Sequence, residues 1–345
     1  MSQPTNLARY VRQVRYGRLG EDGQRRLMDG KALIVGCGAL GSVAANTLVR
    51  AGVGLVRIVD RDFVETTNLQ RQMLFDEEDV AEQLPKAIAA ASRLGRINSE
   101  VEIDPIVADV DATNIERLCN GIDVIVDGTD NFETRFLIND ISLKRNIPWV
   151  YGGCLGAEGQ TMTILPGETA CLGCLMQECP PPGSTPTCDT AGILGPIVNV
   201  IASIEALEAI KILSGHRQAV SRMLTVVELW DNMIRQIDIS GLREQVDCPA
   251  CKGGEHVWLL GRRGSHTAVL CGRNAVQLTH VGASVSLEEL ARKLDGVGEV
   301  SRNPFLLRLK VEGHELTVFP DGRAIISGTD DISKARTIYA KYIGS

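Results

Sequence analysis

Residues 32–36 (ALIVG) form a short, wholly apolar run, and the pattern that follows through Arg50 repeats with helical spacing. A second strand candidate, 56–60 (VRIVD), ends on Asp60. Strand, glycine turn, helix and strand in that order predict one βαβ unit. The rhythm continues beyond it. Residues 64–75 are polar and predict loop or short helix; 85–94 predict a helix with Pro85 in its first turn. Residues 103–107 predict a third strand and 111–119 a short helix. The run 123–127 (DVIVD) predicts a fourth strand, followed by a helix over 133–145 and strands at 148–152 and 160–165. An amphipathic segment, 6–30, precedes all of these. Such alternation implies an α/β fold, Rossmann-like, with a mostly parallel sheet and helices on both faces.

The rhythm breaks at 168–196, a stretch with four cysteines and five prolines that is too polar for a core element. Long loops of this kind usually serve function. A long helix over 197–213 and two strands, 224–229 and 233–237, follow. The pair Cys248 and Cys251 closes this part, and Gly253-Gly254 opens a linker. The expected domains are therefore 1–254 and 255–345, the second a small α+β unit. In it, 268–270, 305–311, 315–319 and 324–326 read as strands, and 286–294 and 331–342 as helices. Asp321-Gly322 marks a hairpin. Phe305, Leu307, Leu309, Val318, Phe319 and Ile325 form the expected apolar face beneath the helices.

At 345 residues and 44% apolar the chain can build full cores, which excludes general disorder. A net charge of -7 argues against a broad nucleic-acid footprint. No run reaches the roughly 18 apolar residues of a membrane span. The first residues carry no apolar leader pattern, so a cytoplasmic protein is expected. Ten cysteines there point to metal or sulfur chemistry rather than a disulfide framework.

The glycines Gly36, Gly38 and Gly41 follow a strand and open a helix, and Asp60 stands 24 positions past the first of them. This is a dinucleotide-type fingerprint, which suits NAD or ATP. Glycines let backbone approach phosphate, a helix N-terminus supplies N–H donors, and Asp60 can accept from ribose hydroxyls. Asn68, Arg71, Gln72 and Lys86 then bring cations and amides that nucleotidyl transfer needs and hydride transfer does not. Asp127 and Asp130 fall at the C-terminal edge of the fourth strand, where a carboxylate suits Mg²⁺; Asp130 is the better ligand candidate unless it caps the next helix. Cys171, Cys174, Cys248 and Cys251 make two CxxC pairs 74 positions apart, a set of four thiolates suited to structural zinc. Cys188, in a loop flanked by proline and glycine, is a candidate covalent relay, with Cys179 the alternative. Cys271 reads as a half-buried strand-end thiol in the tail.

These residues together resemble the ThiF/MoeB/HesA family, the bacterial adenylyltransferases akin to ubiquitin-activating enzymes. The ordered motifs are Arg9-Tyr10-x-Arg12-Gln13, the glycine turn, Asp60, Asn68-Leu69-Gln70-Arg71-Gln72, Lys86, Gly128-Thr129-Asp130-Asn131, both CxxC pairs, Cys188-x-Thr-Ala-Gly-x-x-Gly-Pro196 and Glu205-Ala-Leu-Glu-Ala-Ile-Lys211. The resemblance covers about 6–254 and implies ATP-dependent adenylation of the C-terminal glycine of a ubiquitin-like sulfur carrier ending in Gly-Gly. It implies Asp60 on ribose, Arg71 and Lys86 on phosphates, Asp130 on Mg²⁺, and Arg12 reaching into the partner subunit's site of a homodimer. It also implies Cys188 as a thiol linking to the carrier, zinc on the four paired cysteines, and a sulfur-donor protein. No histidine lies between Met1 and Gly215. That suits the implied chemistry, because an attacking carboxylate is already ionised and needs no general base. The tail from 255 does not resemble a rhodanese. The competing readings are an NAD(P)-dependent oxidoreductase and a non-catalytic module that binds a ubiquitin-like protein.

Overall fold

The computed structural model describes residues 7–181, 186–263, 267–270, 274–278 and 285–343. The chain divides into two compact units, Met1–Pro181 with Gly192–Arg263, and Pro182–Ala191 with Gly264–Ser345.

The first unit is built on eight strands: β1 Lys31–Val35, β2 Leu55–Asp60, β3 Glu102–Val107, β4 Val124–Asp127, β5 Trp149–Leu155, β6 Glu158–Ile164, β7 Met223–Glu228 and β8 Met233–Asp238. Their order across the sheet is β3-β2-β1-β4-β5-β6-β7-β8. The first five run parallel, and β6, β7 and β8 continue antiparallel. The change has a covalent cause. Parallel neighbours need a crossover, whereas β5 and β6 are joined by a tight hairpin through Gly156. β1 is buried on both faces, with Ile34 in one core cluster and Leu33 in the other, which is why its sequence is continuously apolar. The helices Ala39–Ala51 and Lys86–Ile97 cover one face, and Phe132–Arg145 covers the other. The helix Gly195–Leu213 packs against β4, β5 and β6 and against Ala39–Ala51. It is so enclosed that Glu205 and Glu208 are buried with its apolar residues.

Two segments differ from the sequence pattern. The opening amphipathic stretch is three pieces, Leu7–Tyr10, Val11–Val14 and Gly20–Asp29, with a turn holding Gly17 before the last of them. Gly253-Gly254 is not a loose linker. Their amides donate to the carbonyls of Cys248 and Ala250, so the pair closes the turn of the second CxxC. Trp258 and Leu259 beyond it are buried in the first unit's core, and Trp258 stacks on Phe136 at 5.6 Å.

The second unit is a six-stranded antiparallel sheet in the order β11-β12-β13-β14-β10-β9. Its strands are β9 Thr267–Leu270, β10 Ala275–Leu278, β11 Glu299–Arg302, β12 Leu307–Val311, β13 His314–Val318 and β14 Ala324–Ser327. The helices Leu287–Lys293 and Ile332–Tyr342 pack on a cluster of Leu307, Leu309, Leu316, Val318 and Ile326. Ile325 is on the opposite face from the one the sequence suggested. It pairs with Thr317 and Gln277, while its neighbour Ile326 joins the cluster. Phe305 precedes β12 and is only half-buried, and Phe319 is buried outside that cluster, beneath the Arg323 guanidinium. Cys271 lies outside the described residues. No helix of the described residues is long and apolar enough to cross a membrane.

Candidate functional site

The glycine turn leaves β1 at its C-terminal edge. Gly36 has φ +86°, and a Cβ there would meet the Gly128 carbonyl at 2.6 Å. A Cβ on Gly41 would meet the Gly36 carbonyl at 1.9 Å. Both positions exclude a side chain, and together they let the ends of β1 and β4 touch. The helix Ala39–Ala51 then starts at Gly38 with no side-chain cap and no acid in its first turn. Its free N–H groups and positive dipole end face whatever lies above Gly38, where an added Cβ would find no atom closer than 3.8 Å. That is a cradle suited to phosphate. Gln72, whose Nε2 is that nearest atom, is buried and leaves its Oε1 without a partner.

Asp60 ends β2 beside the turn. Its Oδ2 accepts the Cys37 amide at 2.6 Å and its Oδ1 the Asp62 amide at 2.7 Å. Burial raises its carboxyl above the ordinary aspartate range, and the Lys86 ammonium pulls the other way. Two backbone bonds leave lone pairs for ribose hydroxyls. Lys86 is the first residue of its helix and is 4% exposed. Its Nζ reaches Asp62 Oδ2 at 3.3 Å. Arg61 pairs with Asp109 at 3.2 Å. Asp62 holds the buried lysine in place. Asn68, 2% exposed, makes a reciprocal capping pair with Glu65, and Arg71 Nη1 donates to the Thr67 carbonyl at 2.9 Å. The helix Gly195–Leu213 begins against this segment, Gly195 lying beside the Gln70 carbonyl. Glycine turn, Asp60, Lys86, Asn68, Arg71 and Gln72 therefore all belong to one edge of one sheet.

At the end of β4, Asp127 is fully buried and Asp130 is exposed. The cap of the following helix is Asn131, whose Oδ1 accepts the Thr134 amide at 2.9 Å. Asp130 is thus not used as a cap. Two residues complete this corner: Arg135, which the sequence reading passed over, and Glu205, which it quoted in a motif without a role. Arg135, 7% exposed, bonds Asp127, and Glu205 is fully buried with neither carboxyl oxygen partnered. Arg135 occurs four residues after the cap, where arginines on helices are commonly solvated. Glu205 lies in a helical run with Glu208 and Lys211 at three-residue spacing. Neither pattern signals burial.

The arginine of the opening motif is placed by its neighbours. Tyr10 is buried and accepts from Asn98 Nδ2 at 2.9 Å; Gln13 donates to Gln24 at 2.6 Å and to the Ala51 carbonyl at 3.0 Å. Arg12, between them, is exposed.

Cys171, Cys174, Cys248 and Cys251 converge, with all four sulfurs within 4.8 Å of one another. Sulfur separations of 3.8, 3.7 and 3.5 Å match the edge of about 3.8 Å expected for a tetrahedron with Zn–S near 2.3 Å. Asn139 Oδ1 accepts the Leu172 amide between the first two cysteines, and Asp140 Oδ2 accepts the Trp258 and Leu259 amides beyond the second two. The residues fit a closed four-sulfur zinc site.

The single cysteines separate. Cys188 starts the short helix Cys188–Ala191, is half-buried and belongs to the second unit, not to the one that holds the glycine turn. Cys179 is half-buried against the first unit's core, and burial together with Glu133 pushes its thiol up to about 11. It is poorly suited to act as a thiolate.

Known proteins resemble this chain. The chain is 43% identical over 338 residues to a protein of Bacillus subtilis named Sulfur carrier protein ThiS adenylyltransferase, covering 97% of this chain and 99% of that one. A protein of the same name from Escherichia coli is 35% identical over 71% of this chain and 95% of its own. The solved structure of E. coli MccB with ATP superposes with a TM-score of 0.59 at 25% identity, covering 69% of this chain and 74% of that one. The profile of the ThiF family matches residues 10–250, and the chain belongs to that family.

Proposed function

We propose that the protein uses ATP to adenylate the C-terminal glycine of a ubiquitin-like sulfur carrier, of the ThiS type named in its relatives. The carrying observation is the uncapped glycine helix with buried Lys86 and the Asn68–Arg71–Gln72 segment on one sheet edge. A hydride-transfer enzyme has no use for that cation set.

In this reading the carrier's carboxylate oxygen attacks the α-phosphorus. The new O–P bond forms as the bond to the β-phosphate oxygen breaks, and pyrophosphate leaves. The Ala39–Ala51 helix end and Arg71 hold the phosphates, and Lys86, fixed by Asp62, faces the charge that grows on the departing oxygen. Asp60 orients the nucleotide through its ribose. Asp130, exposed and uncommitted as a cap, would hold Mg²⁺, which neutralises phosphate charge when bound. No proton needs to be removed from the attacking group, so the histidine-free edge is adequate.

Several finer assignments belong to the same proposal. Exposed Arg12, on a segment pinned at Tyr10 and Gln13, extends to the nucleotide of a second copy in a homodimer. The four paired cysteines bind one zinc for stability. Cys188 forms the covalent link to the carrier, and a separate protein supplies sulfur. Nine cysteines with no disulfide among the described residues suit a reducing compartment, the cytoplasm.

The test is ATP–pyrophosphate exchange with a Gly-Gly-ended carrier. Exchange should require magnesium and the intact C-terminal glycine. Carrier binding without any exchange would leave only the binding-module reading.

A further inference from the structure

Asp130 is exposed, yet the residue before it is among the most tightly held in the fold. Thr129 donates its amide to Asp127 Oδ1 at 2.8 Å and its hydroxyl to the same oxygen at 2.7 Å. Its carbonyl accepts from Arg135 Nη2 at 2.8 Å. Every polar group of Thr129 is therefore gripped by one of two buried residues. Those two grip each other, with Arg135 Nε to Asp127 Oδ2 at 3.3 Å. Arg135 Nη2 also bonds the Gly152 carbonyl of β5 at 3.0 Å, and the guanidinium lies 5.3 Å from the Phe132 and Tyr151 ring centres. It has no freedom to reach the phosphates itself, but Asp130 lies within its field and that of Arg61.

Glu205 stands against the same corner. A Cβ on Gly152 would meet its Oε1 at 2.3 Å, so the carboxyl packs directly on β5. With neither oxygen bonded and no water access, an ionised Glu205 would be an uncompensated buried charge, so the folded chain holds it protonated. Arg135 then keeps a single carboxylate partner, Asp127.

We propose that Arg135 is a positioning residue: clamped to Asp127, it fixes the Thr129 peptide so that Asp130 is presented to the metal of the nucleotide. This rests on the assignment of Mg²⁺ to Asp130 above. The role differs from general support because it predicts a defect in one property. A clamp that loosens should leave the carboxylate present but poorly aimed, which weakens metal affinity before it unfolds anything. Partners that orient a metal ligand typically carry a 10–100-fold effect.

The experiment compares full-length wild type, Arg135→Lys, Thr129→Val, Thr129→Ser and Asp130→Asn. Two readouts are used: hydrogen exchange of the 127–135 peptide without nucleotide or metal, and magnesium titration of pyrophosphate exchange. Arg135→Lys keeps the charge but loses the fork. It should speed amide exchange at least about tenfold and raise the magnesium half-saturation about tenfold, with carrier KM within about twofold. Thr129→Val should move both in the same direction by about threefold, and Thr129→Ser should restore them. The threonine variants decide the matter if Arg135→Lys does not fold. Unchanged half-saturation in folded Arg135→Lys, or in Thr129→Val, overturns the proposal while Asp130→Asn remains defective. If Asp130→Asn itself keeps the wild-type magnesium dependence, the metal assignment and the clamp fall together.

Discussion

The nucleotide edge and the cysteine cluster are fastened to the same helix, Phe132–Arg145, and are built on opposite rules. At the nucleotide edge, groups are held from behind and left open in front. Lys86 leans on Asp62, Thr129 is gripped so that Asp130 faces out, and the helix Ala39–Ala51 starts uncapped. At the cysteine cluster nothing is left open. Four sulfurs face one another, and the Asn139 and Asp140 side chains tie down the backbone on either side. Open valence is what a reacting centre needs, and closed valence is what a staple needs. One chain segment can serve both, because a helix fixes several side chains in register without committing any of them to the same task.

That contrast can be broken in order of expected effect. Lys86→Ala should cut the exchange rate about 10²–10³-fold, because a preorganised charge is lost where charge develops. Its melting temperature should stay within a few degrees of wild type on the order of the ~2–4 °C that 1 kcal/mol moves a protein this size. A folded Lys86→Ala with near-normal exchange would remove the lysine from the mechanism. Cys248→Ser should do the reverse. Zinc content falls from one per chain, and the melting temperature drops by on the order of 10 °C, while exchange per folded molecule changes little. An equal loss of rate in the surviving folded fraction would show that the cluster is not merely a staple.

Removing the chain after Arg263 sharpens the comparison differently. The four paired cysteines and the glycine turn lie in the first unit, so zinc content and ATP affinity should persist within about twofold, equivalent to about 0.4 kcal/mol. Residues 186–191 belong to the second unit and should become readily cut by protease. Resistance of that loop in the truncated protein would show that the first unit alone orders it.

The smallest effect concerns Glu205. Burial raises its carboxyl well above the usual 4.5, Asp127 raises it further, and Arg135 opposes. Tyr151 is the other titratable group in this corner. A carboxyl raised on folding contributes stability that is full below the unfolded value and is lost as pH rises through the folded one. Glu205→Gln has no such proton to lose. Its melting temperature should gain steadily on wild type as pH climbs from about 5 to 8.5. A constant offset across that range would mean that folding does not raise the Glu205 carboxyl.

Much of this architecture was readable in the residues because buried parallel strands write themselves as apolar runs. β1 and β4 are of that kind, and Gly36 and Gly128, which follow them, have no alternative residue. The paired cysteines were readable because zinc demands both identity and spacing. What escaped was whatever depended on partners far along the chain. β10 is four residues long, and β11 is polar at three of four positions, so neither shows a period. Arg135 and Glu205 look like ordinary helix surface until the sheet supplies Asp127 and Gly152. Gly253-Gly254 looks like a hinge until the turn's carbonyls are placed. Ile325 and Ile326 are equally apolar, and only the register of β14 decides which one faces the helices.

The shared helix also sets where the gene can change length. Arg135 and Asn139 are one turn apart, on the same side of Phe132–Arg145, with Asp140 next to it. Inserting or deleting one residue between Arg135 and Asn139 rotates everything beyond by about 100°. The clamp on Thr129 and the tether on Leu172 could then not be satisfied in the same molecule. The stretch between Cys174 and Cys188 carries no such shared register, since it neither begins nor ends on that helix. Descendants of this sequence should therefore tolerate insertions in the proline-rich loop and almost none within those fourteen helical residues.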